Sequence, residues 1–173
     1  INVVASGGGT TACDTIRNYS SAEAANMTAY SLTGGDGYYP GSLYLPGTND
    51  FQMQHIADSF FVNSPTTIKR LYLPVYQADD LGPANDVIFT VWANNGATPG
   101  PGAVIGSEAV PISNLNAGFW NEIDFTTPVP VNGEFWVGYE FEYSNTTIQD
   151  TVLFATTNFS DRPSGPSSTW VQG

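Results

Sequence analysis

Residues 134–143 read EFWVGYEFEY and alternate strictly between two kinds of side chain. Successive side chains of a β-strand point to opposite faces. One face of this stretch carries the apolar and aromatic residues Phe135, Val137, Tyr139, Phe141 and Tyr143. The other face carries Glu134, Trp136, Gly138, Glu140 and Glu142. We predict a strand whose first face packs in the core and whose second face meets solvent or a ligand.

Further short apolar stretches have the length and composition of strands: residues 57–62, 67–76, 86–92, 104–112, 119–125 and 152–156. Turn-forming sequences such as Asn94-Asn95-Gly96 and Asn132-Gly133 separate them. Many short strands without helical periodicity predict an all-β protein, and we expect an antiparallel β-sandwich of jelly-roll type. The predicted core consists of Phe60, Leu71, Leu73, Phe89, Val91, Phe135, Val137, Tyr139 and Phe141.

The N-terminal part of the chain has a different composition. Residues 1–12 contain Gly7-Gly8-Gly9 and are expected to be a flexible lead-in. Residues 30–49 are rich in Gly, Tyr and Pro and predict a long loop region. We therefore expect one domain, a β-sandwich module over residues 13–173.

Acidic side chains dominate the charge of the protein. The sequence has 16 Asp and Glu against 4 Lys and Arg, a formal net charge of −12. Because this charge repels a phosphate backbone, nucleic acid is excluded as a partner. The sequence has no polybasic stretch and no apolar run of membrane-spanning length, so we expect no membrane insertion. Cys13 is the only cysteine, so no internal disulfide forms.

Five stretches together carry a family resemblance. They are Cys13-Asp14-Thr15-Ile16, Gly37-Tyr38-Tyr39-Pro40-Gly41, residues 56–61 (IADSFF), residues 85–92 (NDVIFTVW) with 96–100 (GATPG), and residues 129–138 (VPVNGEFWVG). From about Cys13 to Trp170 the chain resembles a jelly-roll module of secreted multidomain Bacteroidota proteins exported by type IX secretion, similar to cleaved-adhesin domains. The resemblance implies a secreted or cell-surface location, other domains of a parent protein as partners, and no catalytic residue.

A glycan site needs exposed aromatic side chains, since the C–H face of a sugar stacks on a flat ring while acids and amides bind its hydroxyl groups. The first candidate group, on the second face of residues 134–143, consists of Trp136, Glu140 and Glu142. The second, in the loop region, consists of Tyr38, Tyr39 and Tyr44. The alternative for Trp136 is a half-exposed ring that covers the sheet edge. Because tryptophan is largely buried on average, the other three are interpreted as framework: Trp92, Trp120 and Trp170.

Structural Ca²⁺ is the cofactor that the sequence favours, because Ca²⁺ takes oxygen ligands and jelly rolls often join loops through such an ion. Two groups of candidate ligands occur. The first consists of Asp36, Asn49, Asp50 and Asp58, and the second of Asp79, Asp80 and Asp86. Neither has the spacing of an EF-hand loop, and the alternative is that these residues only form turns.

Residues 122–125 read Glu-Ile-Asp-Phe and are similar to a strand of laminarinase-like glycoside hydrolases. In those jelly rolls the first Glu is the nucleophile and a further Glu, after the apolar residue, is the acid/base. Here that place falls to Thr126 or Thr127, neither of which donates a proton usefully at neutral pH. His55 is the only histidine, which excludes a metal site built on several imidazoles. We predict no catalytic residue and interpret Glu122 and Asp124 as the polar face of a strand.

The favoured function is a non-catalytic extracellular binding or adhesion module for a glycan or cell-surface ligand. Two alternatives stay open: a structural spacer or filament subunit, and a degenerate or active glycoside hydrolase using Glu122 and Asp124. An exposed aromatic strip without paired catalytic acids would favour binding, whereas an exposed edge strand would favour a spacer.

Overall fold

Antiparallel β-strands make up nearly all of the structure. The computed structural model describes residues 1–7, 13–17, 19, 21, 25, 27, 54–81, 85–96, 100–141, 150–155 and 169–172. The strands are β1 Asn2–Gly7, β2 Cys13–Arg17, β3 His55–Asp79, β4 Asp86–Asn94, β5 Pro101–Pro111, β6 Phe119–Phe141, β7 Thr151–Phe154 and β8 Thr169–Gln172, with a 3-10 helix at Ile112–Asn114. Their order is β2-β1-β3-β6-β4-β5, and β7 and β8 also pair with β3. Among these residues, no helix has the length and apolarity to cross a bilayer.

Two long strands, β3 and β6, form the centre of the sheet. They contain 25 and 23 residues. Their pairing is irregular in two places, between Val62 and Thr66 and between Ile68 and Arg70 of β3. Opposite Val62, Gly133 has a φ of 73°, a left-handed conformation that glycine adopts at little cost. Because bulges bend strands and increase their twist, both strands change direction together here.

The bends divide the sheet into two half-sheets. The first half-sheet contains residues 55–62 of β3 and 133–141 of β6, with β4, β5 and β8. The second contains residues 66–79 of β3 and 119–131 of β6, with β1, β2 and β7. The rings of Tyr139 in the first and Phe154 in the second have centroids 4.3 Å apart. Phe89 and Phe154 make a second such contact, at 6.2 Å. The half-sheets therefore face each other across one core, which confirms the predicted all-β antiparallel sandwich.

All of the predicted core residues are buried. Their exposed fractions range from 0% for Leu71 to 5% for Phe141. They belong to a single apolar cluster that draws side chains from both half-sheets. The predicted register of residues 134–143 is therefore confirmed over its described part, because a shift of one residue would place Glu134, which is exposed, in the core.

The expectation of a flexible lead-in at residues 1–12 is wrong for residues 2–7. These residues form β1, which pairs with β2 on one side and with β3 on the other. Val3 and Ala5 are 0% and 3% exposed. They alternate along the strand, so β1 adds an apolar row to the core. Residues 8–12 and the predicted loop region 30–49 lie outside the described residues.

The centre of the outer face of the first half-sheet is also buried. Trp92 and Trp136 are each 5% exposed and form a second small cluster with Ala57. Thr90, on the same face, is fully buried. The prediction that the second face of residues 134–143 meets solvent or a ligand is therefore wrong at Trp136, which packs with Trp92 and Ala57, whereas Glu134 on the same face is exposed.

Close contact between β3 and β6 at Gly138 generates a stability prediction. A Cβ atom added there would overlap the carbonyl oxygen of Ile56 and lie 2.6 Å from the Cα of Ala57. Because backbone atoms cannot move aside as a flexible side chain can, Gly138→Ala should lower the free energy of unfolding by about 3 kcal/mol or more.

The matched control is Gly133→Ala, where an added Cβ has nothing within 4 Å and only the positive φ opposes it. That change should cost about 1–2 kcal/mol. Urea denaturation measures both variants, and equal unfolding midpoints would contradict the close approach at Gly138.

Candidate functional site

Aromatic and charged side chains meet on the outer face of the second half-sheet. The register places Arg70 opposite Asp124, Tyr72 opposite Glu122, and Pro74 opposite Trp120. The residues between them on each strand are buried, so the alternation directs these side chains away from the core. Tyr76 continues the outer row of β3 and is 56% exposed. We call the following set the aromatic–acidic face: Arg70, Tyr72, Tyr76, Trp120, Glu122 and Asp124.

Arg70 links the two acids of this face. Its Nε and Nη2 donate to the two carboxylate oxygens of Asp124 at 2.5 and 2.8 Å. Its Nη1 lies 2.6 Å from Oε2 of Glu122. The guanidinium also lies over the ring of Tyr72, 5.8 Å from its centroid, and donates to the phenol oxygen at 3.3 Å. One cation therefore holds two carboxylates and one aromatic ring in fixed positions.

The protonation of Asp124 follows from this geometry. The hydrogen bonds from Arg70 hold the pKa of the Asp124 carboxyl below its ordinary value. The same hydrogen bonds raise the pKa of Arg70 further above its ordinary value. At neutral pH Asp124 is thus a carboxylate that accepts hydrogen bonds. A general acid needs the opposite environment, one that raises its pKa towards neutrality.

The face continues onto β1. Asn2, which the register places beside Tyr72, is 7% exposed. Its side-chain oxygen accepts a hydrogen bond of 2.5 Å from the hydroxyl of Tyr19. Burial raises the pKa of the Tyr19 phenol, so this group stays a neutral donor at physiological pH. The β1 side of the face is therefore polar and aromatic as well.

A tight turn before β6 presents two aromatic residues to solvent. Asn121 is 4% exposed, accepts a hydrogen bond from the amide of Asn116 at 2.7 Å, and donates to the carbonyl oxygens of Asn116 and Phe119. The amide of Gly118 donates to the carbonyl of Val75 on β3 at 2.8 Å. These bonds fix the turn, and the large side chains that follow it remain open: Phe119 is 70% exposed and Trp120 is 48% exposed.

The interpretation of Trp120 as framework is therefore wrong, whereas that of Trp92 is confirmed, since its ring is buried. A signal for Trp120 was present in the sequence. Trp120, Glu122 and Asp124 are alternate residues of one strand, so their side chains point to the same face. The prediction of a polar face for Glu122 and Asp124 therefore also implies exposure of Trp120, against the general tendency of tryptophan to be buried. Trp170 lies in β8, and its side chain is outside the described residues.

The first predicted ligand group does not form an exposed platform. Trp136 is buried, and Glu140 is half-buried with its Oε2 3.2 Å from Nε2 of His55. A buried indole cannot offer its face to a sugar. Four further predicted ligand residues lie outside the described residues: Glu142, Tyr38, Tyr39 and Tyr44.

The second predicted calcium group is not assembled as a site. Asp79, Asp80 and Asp86 are all described, and in the described part of the chain no three His, Cys, Asp or Glu side chains converge as metal ligands. Asp79 instead accepts a hydrogen bond of 2.5 Å from Gln77. Of the first group, only Asp58 is described, and it too joins no such cluster. Asp36, Asn49 and Asp50 lie outside the described residues.

Asp150 organises the loop between β3 and β4, a role that sequence reasoning missed. Its carboxylate is 5% exposed and accepts hydrogen bonds from the amide of Leu81, at 2.8 Å, and from the side-chain amide of Asn85. A buried carboxylate with such partners stabilises a loop. Residue spacing could not indicate this, because Asp150 is far from Leu81 in the chain.

Comparison of the chain with protein-family models, with curated proteins and with solved structures gives no match.

The Arg70–Asp124 pair generates a titration prediction. Replacing Arg70 with Met should raise the pKa of Asp124 towards its ordinary value of 3.8, because the donors that favour the carboxylate are lost. A carboxyl whose pKa is lowered by folding stabilises the folded state at pH values above its ordinary pKa. In the wild type this stabilisation is therefore lost progressively as the pH falls below 3.8. NMR titration of the Asp124 carboxyl carbon measures the midpoint. Lys69→Met removes a neighbouring charge that makes no contact with Asp124 and is the control; equal midpoints in wild type and Arg70→Met would contradict the pairing.

Calcium binding stays a prediction. An ion that binds only the folded chain raises the free energy of unfolding by about 2.7 kcal/mol at a hundredfold excess over Kd. For a domain of this size that corresponds to a rise in Tm of about 5–10 °C. Thermal melts in millimolar Ca²⁺, in Mg²⁺ and in EDTA measure the shift, and identical curves in Ca²⁺ and EDTA would refute it.

Proposed function

We propose that this chain is a non-catalytic binding module that holds a glycan on the aromatic–acidic face. The observation that carries the proposal is the placement of Trp120, which is 48% exposed beside the Arg70–Glu122–Asp124 network. We propose in addition that the module belongs to a larger secreted or cell-surface protein. That part of the proposal depends on the family resemblance and on the strongly acidic composition.

The chemistry of the face suits sugars. An aromatic ring packs against the C–H face of a pyranose, while charged groups hydrogen-bond to its hydroxyl groups. Trp120 and Tyr76 offer rings, and Arg70, Glu122 and Asp124 offer donors and acceptors beside them. The ion pairs hold these polar groups in place before a ligand arrives, which reduces the entropy lost on binding.

Large exposed aromatic side chains support binding rather than a purely structural role. Phe119 is 70% exposed, and the turn that carries it is held by the buried Asn121. Leaving such surface in water has a free-energy cost of about 25 cal/mol per Å² of apolar area. Exposed apolar side chains of this size are typical of an interaction site.

Hydrolysis by Glu122 and Asp124 finds less support. A retaining glycosidase needs one carboxyl that is protonated before reaction, so that it can donate to the leaving oxygen. Here both carboxylates contact the same guanidinium, and the pKa of Asp124 is lowered by it. Asp124 is thus held as a carboxylate, which favours ligand binding over acid catalysis at this residue.

The spacer or filament alternative has one observation in its favour. Among the described strands, β5 pairs only with β4, and Val104 and Ile105 on it are 57% and 39% exposed. An exposed apolar edge can receive a further strand. Concentration-dependent assembly in sedimentation experiments, together with no glycan binding, would favour this alternative.

The decisive variant is Trp120→Ala. Loss of the ring should weaken retention by polysaccharide in affinity electrophoresis at least about tenfold, or about 1.4 kcal/mol, with the Tm little changed because the ring is exposed. Phe61→Ala is the control, since Phe61 is 62% exposed but lies on the first half-sheet. Equal losses in both variants, or none in either, would refute the proposed face. Release of reducing ends that stops in Glu122→Gln would establish hydrolysis instead.

A further inference from the structure

We infer that the ligand of the aromatic–acidic face is an uncharged polysaccharide, bound through internal sugar units along β3. This inference rests on the proposed function and specifies its ligand. Two independent features carry it: the charge of the face and the direction in which its aromatic residues extend.

The first feature is that most donors of Arg70 are already engaged within the face, which leaves one N–H of Nη2. Its Nε and Nη2 are used by Asp124 and its Nη1 by Glu122. Two carboxylates against one guanidinium give the aromatic–acidic face one net negative charge, on a chain whose net charge is −12. Arg17 lies on the same side of the sheet, opposite Asn2, and is separated from Tyr72 by β1. A uronic acid or sulfated sugar bound along β3 would meet the exposed carboxylates of Glu122 and Asp124 at short range.

Repulsion of this kind is large enough to discriminate. Two like charges about 5 Å apart in water weaken an affinity about fourfold, and more where the site is shielded from solvent. Glu122 and Asp124 are 53% and 65% exposed as side chains, so they lie where a ligand would contact them. A hydroxyl group meets no such penalty, because it can donate to a carboxylate oxygen that still has a free lone pair.

The second feature is length. Arg70, Tyr72, Pro74 and Tyr76 are alternate residues of one strand, and at about 3.3 Å per residue they span about 20 Å. Tyr72 and Tyr76 are about 13 Å apart along the strand by the same geometry. Trp120 lies between them, opposite Pro74. A single sugar covers one ring, so the whole row can be used only by several linked sugars.

The shape of the face fits an internal part of a chain. The row lies on the open surface of a sheet. At one end the β3–β6 pairing continues beyond Arg70 to Ile68 opposite Val129, and at the other end it stops at Val75 opposite Phe119, next to Tyr76. Such a row contacts the C–H faces and hydroxyl groups of consecutive sugar units. It therefore suits internal units of a polysaccharide better than a terminal sugar.

The test uses the full chain and two sets of probes. Isothermal titration compares neutral polymers (laminarin, xyloglucan and galactomannan) with anionic ones (alginate, polygalacturonate and heparin), and oligosaccharides of two to eight units with the parent sugar. We expect at least one neutral polymer to bind, anionic polymers to bind at least tenfold more weakly, and affinity to rise with length beyond two units. Glu122→Gln should reduce the ratio of the affinity for neutral polymers to the affinity for anionic polymers about threefold, because one carboxylate is removed.

The outcomes distinguish failure of the proposed function from failure of the inference about its ligand. If no probe binds, the proposed function fails. If an anionic polymer binds best, and Trp120→Ala removes that binding, the function stands and the inference of a neutral ligand fails. If the free monosaccharide competes as well as the octamer, the inference of a chain ligand fails. As a further check, binding of the neutral polymer should change less than twofold between 50 and 500 mM NaCl, whereas a charge-driven complex would weaken strongly.

Discussion

The pairing of β3 with β6 is the constraint on which the rest of the structure depends. These two strands share both half-sheets, so their common bend near Val62 and Gly133 decides how the half-sheets face each other. The bend brings Tyr139 against Phe154 and so closes the core. Gly106 shows how tightly the layers then fit, because an added Cβ there would overlap the side chain of Val129. Neither half-sheet could bury its inner face without the other.

The same bend makes the outer faces of the two half-sheets different. In the first half-sheet Trp92 and Trp136 are buried, so the centre of its outer face is packed. In the second, the outer positions carry Tyr76 and Trp120 in contact with solvent. Two tryptophans with the same strand alternation, Trp120 and Trp136, thus have opposite roles along one continuous strand. The difference comes from their surroundings and not from the residue type.

Arg70 determines what the exposed face can do. By pairing with Glu122 and Asp124 it converts a sequence that is similar to a glycosidase strand into a set of fixed hydrogen-bonding groups. The ion pairs lie at the surface and contribute little to stability in salt. Their effect is on order and charge: they lower the pKa of Asp124, and they join two carboxylates that lie on the same face as Trp120.

The sequence by itself determined the all-β class, the antiparallel sandwich and the core, because period-two alternation in residues such as 134–143 reports directly which side chains face inwards. It also placed Glu122 and Asp124 on a polar face. Only the tertiary structure decided that Trp136 is buried and Trp120 exposed, that Asn2–Gly7 is a strand, and that Arg70 pairs with Asp124 54 residues away. Alternation distinguishes the two faces of a strand, but it does not say which outer face another part of the chain will cover or which distant side chain will lie opposite. Those facts depend on strand register and on the bend at Gly133, which are set by contacts between residues far apart in the chain.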